Sequence, residues 1–383
     1  MNPPHVLVCG TSTRAAAESA ARAGFAVTSL DGYADLDQHP SVRALSLPRD
    51  FNRPLTPYAA ARASRSIQCD AVTYLSSFEN YPRAVQQLAD GRALWGNRPD
   101  VLTRVRNPLL VAETLRARGL PVADVRLTSD AADGSATRDW MIKPLRSGGG
   151  RGVQRWSGRV RRDAYLQERI AGVPASVVFV ASGGKAVAVG ASRQLIGEDS
   201  FGADGYRYCG SILAADAIEQ GDGRRVTERL CAIANAVADA FGVIGANGID
   251  VIVADGVPYP IEINPRWSSS MELVERAFDL SVFGAHAAAC ARGELPRFDL
   301  AERLASAGAV GKAIVFARRE AVAGDTTAWL DDPSIRDVPH PGEQIRAGQP
   351  VCTVMAEAGD APGCYATLVS RAERIHAQLD RWR

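Results

Sequence analysis

Apolar and polar positions change period along the chain, and the changes mark its elements. Val6-Leu7-Val8-Cys9-Gly10 is a short apolar run closed by glycine. Arg14 to Gly24 is alanine-rich, and Phe25-Ala26-Val27-Thr28-Ser29-Leu30-Asp31 is a second apolar run. Together they predict a βαβ unit and hence a parallel sheet with a right-handed crossover. Ala71-Val72-Thr73-Tyr74-Leu75 predicts a further strand, followed by Ser76-Ser77-Phe78-Glu79-Asn80-Tyr81-Pro82. In open α/β sheets ligands gather beyond the carboxyl ends of strands. Glu79 and Asn80 are therefore candidate substrate contacts, or else caps of the helix starting near Pro82. A helix is expected from Pro108, ended by Gly119-Leu120-Pro121. Trp140 to Pro144 is a strand running into Ser147-Gly148-Gly149-Gly150-Arg151-Gly152-Val153. Ser176 to Val180 and Ala186 to Gly190 flank a glycine turn that leaves Lys185 solvated. Arg225 to Phe241 is an amphipathic helix closed by Gly242, and Lys312 to Ala317 is an apolar strand.

One stretch breaks the apolar pattern in a telling way. Asn247 to Val253 and Pro258 to Asn264 are rich in β-branched residues and flank Asp255-Gly256, a hairpin signature. Glu262 and Asn264 stand two apart on the second strand, so their side chains share a face, with Asp250 across the hairpin. A carboxylate and an amide on an otherwise apolar strand are costly unless something pairs with them. Three hard oxygen ligands make an incomplete Mg²⁺ shell, of the kind that takes its remaining oxygens from phosphates. Arg266 follows, with a fork suited to phosphate or carboxylate.

Composition narrows the classes. The chain has 383 residues, enough for two or three domains, and a formal net charge of +1, which gives no electrostatic case for nucleic acid or an anionic membrane. No run approaches a membrane span, the first residues lack a signal peptide's pattern, and the seven scattered cysteines suit a reducing cytoplasm. Neither cysteines nor histidines cluster as a zinc site would require. Gly10-Thr11-Ser12-Thr13-Arg14 lacks the three-glycine dinucleotide pattern, so NAD is not expected. Of 44 basic residues only Lys143, Lys185 and Lys312 are lysine. A compact ammonium retained in that background directs attention to what those three do.

The hairpin with Asp250, Glu262, Asn264 and Arg266 resembles the metal-binding end of the ATP-grasp superfamily, whose members join a carboxylate to an amine or similar nucleophile at the expense of ATP. The resemblance implies an α/β chain, α+β in the ATP domain: an ATP-grasp fold behind an N-terminal Rossmann-like domain. Residues 1–100 would be that first domain, 101–190 the central and lid region, and 191–383 the catalytic region with its closing segment. Lys143 and Ser147, Gly148, Gly149 and Gly150 resemble the lid over the phosphates. Gln167, Glu168, Arg169 and Ile170 resemble the hinge that reads adenine, with Ser176 the nearest polar candidate for the ribose and Arg193 a basic residue over the phosphates. Arg207 and Tyr208 would line the acceptor pocket, and Ser268 and Ser269 would orient a substrate, alongside Glu79 and Asn80. Two departures stand out. Asn107-Pro108 occupies the place where the family commonly has Asp-Lys, so Arg104 or Arg106 would deliver that charge. No acidic residue follows the hinge to hold the ribose.

Ser77-Phe78-Glu79-Asn80, Trp95-Gly96-Asn97-Arg98-Pro99 and the segment from Asp337 to Val354 resemble ATP-dependent carboligases, some linked to methanofuran-type cofactor synthesis. That implies a cytoplasmic ligase using ATP and Mg²⁺ or Mn²⁺ on a small-molecule carboxylate and an amine, through an acyl phosphate. Arg266 and Lys143 would be its catalytic cations; neither nucleic acid nor membrane is a partner, and a homodimer is allowed. The competing readings are a biotin-type carboxylase using bicarbonate and a non-catalytic nucleotide sensor.

Overall fold

A computed structural model describes residues 3–129, 139–218 and 223–382. The first apolar runs form a five-stranded parallel sheet from β1 (His5–Cys9), β2 (Ala26–Asp31), β3 (Val42–Ser46), β4 (Ala71–Tyr74) and β5 (Ala93–Leu94), in the order β3-β2-β1-β4-β5. The helix Arg14–Arg22 crosses between β1 and β2 and buries Ala16, Ala17 and Ala20, whose small side chains allow it to lie close on the sheet. This is the Rossmann-like arrangement that the βαβ pattern predicts.

A small four-stranded antiparallel sheet follows, built from β6 (Val125–Leu127), β7 (Trp140–Pro144), β8 (Gln154–Arg155) and β9 (Ala164–Glu168), in the order β6-β9-β7-β8. It has its own core of Trp140, Ile142, Ala164 and Leu166.

The largest sheet has eight antiparallel strands. In chain order these are β10 (Val173–Ser182), β11 (Lys185–Ile196), β12 (Tyr208–Leu213), β13 (Gly245–Ala254), β14 (Val257–Asn264), β15 (Ala309–Phe316), and, after the two-residue β16 (Ala321–Val322), β17 (Ile335–Arg336). The last strand is β19 (Pro350–Ala358), while β18 (Gln344–Ile345) pairs with β16 apart from the large sheet. The order β14-β13-β10-β11-β12-β15-β19-β17 puts the 245–264 hairpin at one edge. Alternation along β15 shows the two faces of this sheet. A Cβ at Gly311 would come within 2.6 Å of Cys364 Sγ and 2.9 Å of Leu368 on the C-terminal helix Ala361–Leu379. Lys312, the next residue, therefore points to the opposite face, where it lines a cleft.

The segment after β17 is packed against the first sheet as well as the large one. Leu36 N donates to Val338 O at 2.9 Å, and Asp37 accepts from the backbone N–H groups of Asp337 and Val338 at 3.0 and 2.9 Å. The closing segment of the 191–383 region is thereby bonded to the N-terminal unit as well, through Leu36 and Asp37.

Candidate functional site

The three sheets enclose a cavity of about 630 Å³, within the range of ordinary small-molecule sites. At its centre, Asp250 and Glu262 are direct cross-strand partners in the β13–β14 register, and Gly248 faces Asn264. A β-bulge follows Asp250 and bends the hairpin at that point. Asn264 Nδ2 donates to Asp250 Oδ2 at 3.0 Å, and Gln194 Nε2 donates to Asp250 Oδ1 at 2.9 Å. Glu262 Oε1 accepts from Arg106 Nη1 at 2.7 Å.

Two carboxylates this close oppose each other's ionisation. Burial and the Glu262 charge together push the Asp250 carboxyl up to about 6. Burial raises the Glu262 carboxyl too, but Arg106 and Lys143 outweigh it and hold Glu262 below its ordinary range. Among the described residues no group of three or more His, Cys, Asp and Glu is arranged for a metal. The hairpin offers two carboxylates, plus the Asn264 carbonyl oxygen, which already accepts from Arg266 Nη2 at 3.0 Å and keeps a second lone pair. That donor set fits a hard divalent cation that draws its other ligands from phosphate oxygens.

Lys143, on β7, lines the same cavity. Burial lowers its ammonium pKa, opposed by the charges of Glu262 and Asp250. Ser147, Gly148, Gly149 and Gly150 border the cavity just beyond it. Gly149 O accepts from Tyr208 N at 3.2 Å, tying the glycine loop to the β12 end of the cleft. Gln167, Glu168, Arg169 and Ile170 form the wall beside β9, and Gln167 Nε2 donates to Ile261 O at 3.3 Å. Ser176 also lines the cavity; its hydroxyl lies 3.2 Å from that of Ser192. Tyr208, Ser268 and Ser269 border the other end, with Tyr208 Oη 2.9 Å from Ser211 Oγ.

Four of the expected residues stand elsewhere. Arg193 is outside the cavity lining, close enough to Tyr365 on the C-terminal helix for its charge to be felt there. Its neighbour Gln194 faces the site instead. Along a strand successive side chains point to opposite faces, so one residue of parity separates the two. Arg207 donates to Gly348 O at 2.9 Å and lies over the Phe316 ring at 5.0 Å, bracing the closing segment. Glu79 and Asn80 do not line the cavity, nor do they cap the helix Pro82–Leu88, whose cap position is Tyr81. Glu79 is 1% exposed and accepts from Arg266 Nε at 2.8 Å, while Asn80 Oδ1 accepts from Arg106 Nη2 at 3.0 Å. Both act behind the site, by fixing two guanidinium groups that face it.

Arg106 is the more important of the two basic candidates before Pro108. It contacts Glu262, Ile263 O, Asn80 and Ser147 O, so it spans the hairpin and the start of the glycine loop. Arg104 donates to Ala240 O at 2.8 Å and sits over Phe241, away from the cleft. Asn107 is the N-cap of the helix Pro108–Ala117, accepting from Leu109 N and Leu110 N.

An ATP-grasp domain family matches residues 105–270. None of the curated proteins matches the sequence closely enough to count as a relative. Solved structures share the fold over nearly the whole chain. Biotin carboxylase from Campylobacter jejuni superposes with a TM-score of 0.70 at 16% identity, over 95% of this chain and 89% of that one. An L-amino acid ligase from Bacillus licheniformis gives 0.68 at 15% identity, over 96% and 97%. Rhizobium etli pyruvate carboxylase also gives 0.70 at 16% identity; 97% of this chain aligns, but it spans only 37% of that much longer one.

Proposed function

The chain has the ATP-grasp fold, with an ATP-grasp domain over residues 105–270, and on that premise we propose that it is an ATP-dependent ligase. It joins the carboxylate of an amino acid to an amine through an acyl phosphate, releasing ADP and phosphate. The observation that carries this reading is the opposition, across one cavity, of Asp250, Glu262 and Asn264 to Lys143 and the glycine loop. Asp250, Glu262 and Asn264 would hold Mg²⁺, which when bound supplies charge neutralisation for the nucleotide's phosphates.

The chain's own residues do the rest. The Gln167–Ile170 wall receives the base, and Ser176 is the nearest hydroxyl for the ribose. Lys143 and the N–H groups of the glycine loop face the phosphates. An oxygen of the acid substrate attacks the γ-phosphorus, and the bond to the β,γ-bridging oxygen breaks, leaving ADP. The amine nitrogen then bonds to the acyl carbon as inorganic phosphate departs, and the amine's proton passes to solvent or phosphate. Arg266 is clamped by Glu79 and Asn264, so it meets the transferred phosphoryl group without reorganising. The lid must close over this intermediate, because water would hydrolyse it. The amide bonds of methanofuran-type cofactors are one setting for such a ligase, on the strength of the resemblance in the sequence.

The test is ADP release against a panel of amino acids paired with amines, with the product identified by mass. Glu262→Gln should reduce turnover at least a thousandfold without loss of the folded state. ADP release that depends on bicarbonate rather than on an amine would instead identify a carboxylase. No turnover with any pair, with ATP still bound, would identify a sensor.

A further inference from the structure

The cavity does not stop at Arg266. It continues to an end bordered by Ser12, Arg14, Tyr208, Ser211, Lys312 and Asp337, none of which the nucleotide half of the site requires except as a boundary. Arg14 is fully buried with every nitrogen engaged. Its Nη2 donates to Glu272 Oε1 at 2.7 Å, Nη1 to Glu18 Oε2 at 3.0 Å and Nε to Asp337 Oδ1 at 2.8 Å. Asp37 Oδ2 lies 3.5 Å from the same Nε. Lys312 is 4% exposed, and its ammonium donates to Glu272 Oε2. Two cations are thus surrounded by four carboxylates: Glu18, Asp37, Glu272 and Asp337. Arg22 shares Glu18, and Arg276 also feels the Glu272 charge.

Of the four carboxylates only Asp337 lines the cavity, beside the cations Arg14 and Lys312. Its side chain is 25% exposed, against 9% for Glu272 and Asp37, while Glu18, at 23%, stands outside the lining. Asp337 Oδ2 has no hydrogen-bond partner among the described residues, while Oδ1 is held by Arg14. Its backbone has φ +57°, a left-handed conformation unusual for a residue other than glycine, and Asp37 grips the turn through two backbone N–H groups. A backbone strained and clamped in this way presents its side chain in a fixed direction.

We propose that Asp337 is the anchor for a protonated amino group on the acid substrate, which is therefore an amino acid whose own nitrogen does not react. This rests on the ligase reading above. The reacting amine must be neutral when it attacks and must lie by the acyl phosphate near Arg266. A nitrogen held against a carboxylate oxygen stays protonated and is a poor nucleophile. The free Asp337 oxygen accepts from that ammonium, and the hydroxyls of Tyr208 and Ser211, 2.9 Å apart, line the same cavity. The product keeps its free amino group.

Hydroxylamine serves as the amine in the test, because it traps an acyl phosphate as a hydroxamate whatever the natural nucleophile is. L-Alanine, L-glutamate and L-tyrosine are each compared with the des-amino acid and the hydroxy acid of the same skeleton, at saturating ATP and Mg²⁺. The wild-type protein should prefer the amino acid at least tenfold in kcat/KM. Asp337→Asn should raise KM for the amino acid about 10- to 100-fold, the scale of one charge-assisted hydrogen bond, and leave KM for ATP unchanged. It should leave the des-amino acid unaffected, so the preference disappears. Equal use of amino and des-amino acids by the wild-type protein, a comparison that needs no variant, overturns the anchor while leaving the ligase standing. So does a variant that loses both substrates equally, since Asp337 would then be only a strut for Arg14. If no acid yields hydroxamate or ADP although ATP still raises the melting temperature, the ligase reading falls first and the anchor with it.

Discussion

Arg106 shows how one side chain can set the state of the site. Its guanidinium bridges the Glu262 carboxylate, the Asn80 amide oxygen and the Ser147 carbonyl, and its Nε is buried with no partner among the described residues. The ATP-grasp resemblance implies a lysine where this chain has Pro108, and Arg106 is the nearby cation that reaches the cleft. We expect Arg106→Ala to raise KM for ATP about 10- to 100-fold, since it removes a charge-assisted contact to the phosphates. Glu262 also loses the cation that most lowers its carboxyl, so the same variant should need a higher Mg²⁺ concentration for half-maximal activity at mildly acid pH. Arg106→Lys should recover little, because a point ammonium cannot span three acceptors lying in different directions. Arg104→Ala is the control. Its guanidinium is engaged with Ala240 O, so steady-state kinetics with ATP should leave KM within twofold of wild type.

At the scale of elements, the glycine loop and β12 act as a pair. Gly150 has φ +76°, and a Cβ there would lie 1.7 Å from the carbonyl oxygen of Tyr206, a backbone atom that cannot swing aside. Gly149 has φ +62° and open space around the same position. Gly150→Ala should therefore displace the Tyr206–Tyr208 stretch and lower kcat/KM more than tenfold, whereas Gly149→Ala bears only the left-handed strain and should cost a few-fold. ADP release by the two variants, with melting temperatures as a check on folding, separates the two effects. These elements were legible in the sequence for local reasons. β-Branched runs around Asp255-Gly256 define a hairpin, and Glu262 and Asn264 share a face by simple alternation. The choice of Gln194 over Arg193 was not legible, because a bulge at Leu195/Ile196 and the strand register decide which side chain turns inward. Nor was the group of Arg14, Glu272, Lys312 and Asp337. Each sits in an unremarkable segment, and only the packing of the first sheet against β15 and the closing segment assembles them. Glu79 and Asn80 were found by position, but their partners Arg266 and Arg106 lie far along the chain or on another element.

Across the whole molecule, the seam between the parallel sheet and the hairpin is polar and buried, and its state of protonation is linked to folding. Asn97 donates to Asn247 Oδ1 at 2.8 Å and to Pro265 O at 3.0 Å, and accepts from Ile244 N at 2.8 Å. Beside it His286 Nδ1 accepts from Ala246 N at 2.9 Å, so the ring proton is on Nε2, which faces Trp95 O at 3.3 Å and Thr73 Oγ1 at 3.4 Å. Protonating Nδ1 would abolish the bond from Ala246. Burial pushes the His286 pKa down to about 4, against an ordinary value of 6.5. The folded state therefore resists a proton that the unfolded chain takes up below pH 6.5. The His286 contribution is complete above that pH and lost as pH falls towards about 4, a change of about 3 kcal/mol. Asp250 acts in the opposite sense, since its carboxyl is raised to about 6 and its proton favours the folded state over part of the same window. The total pH dependence is thus a sum of opposing terms, and a variant must isolate one of them. Urea unfolding of the wild type and of His286→Gln from pH 7.5 to 4.5 does so. The glutamine should be less stable at pH 7.5, and the gap should narrow steadily below pH 6.5 as the wild type alone loses its neutral-imidazole contribution. A gap that stays constant across the range would mean that His286 takes up its proton equally readily folded and unfolded, so that burial and the bond from Ala246 do not hold it neutral.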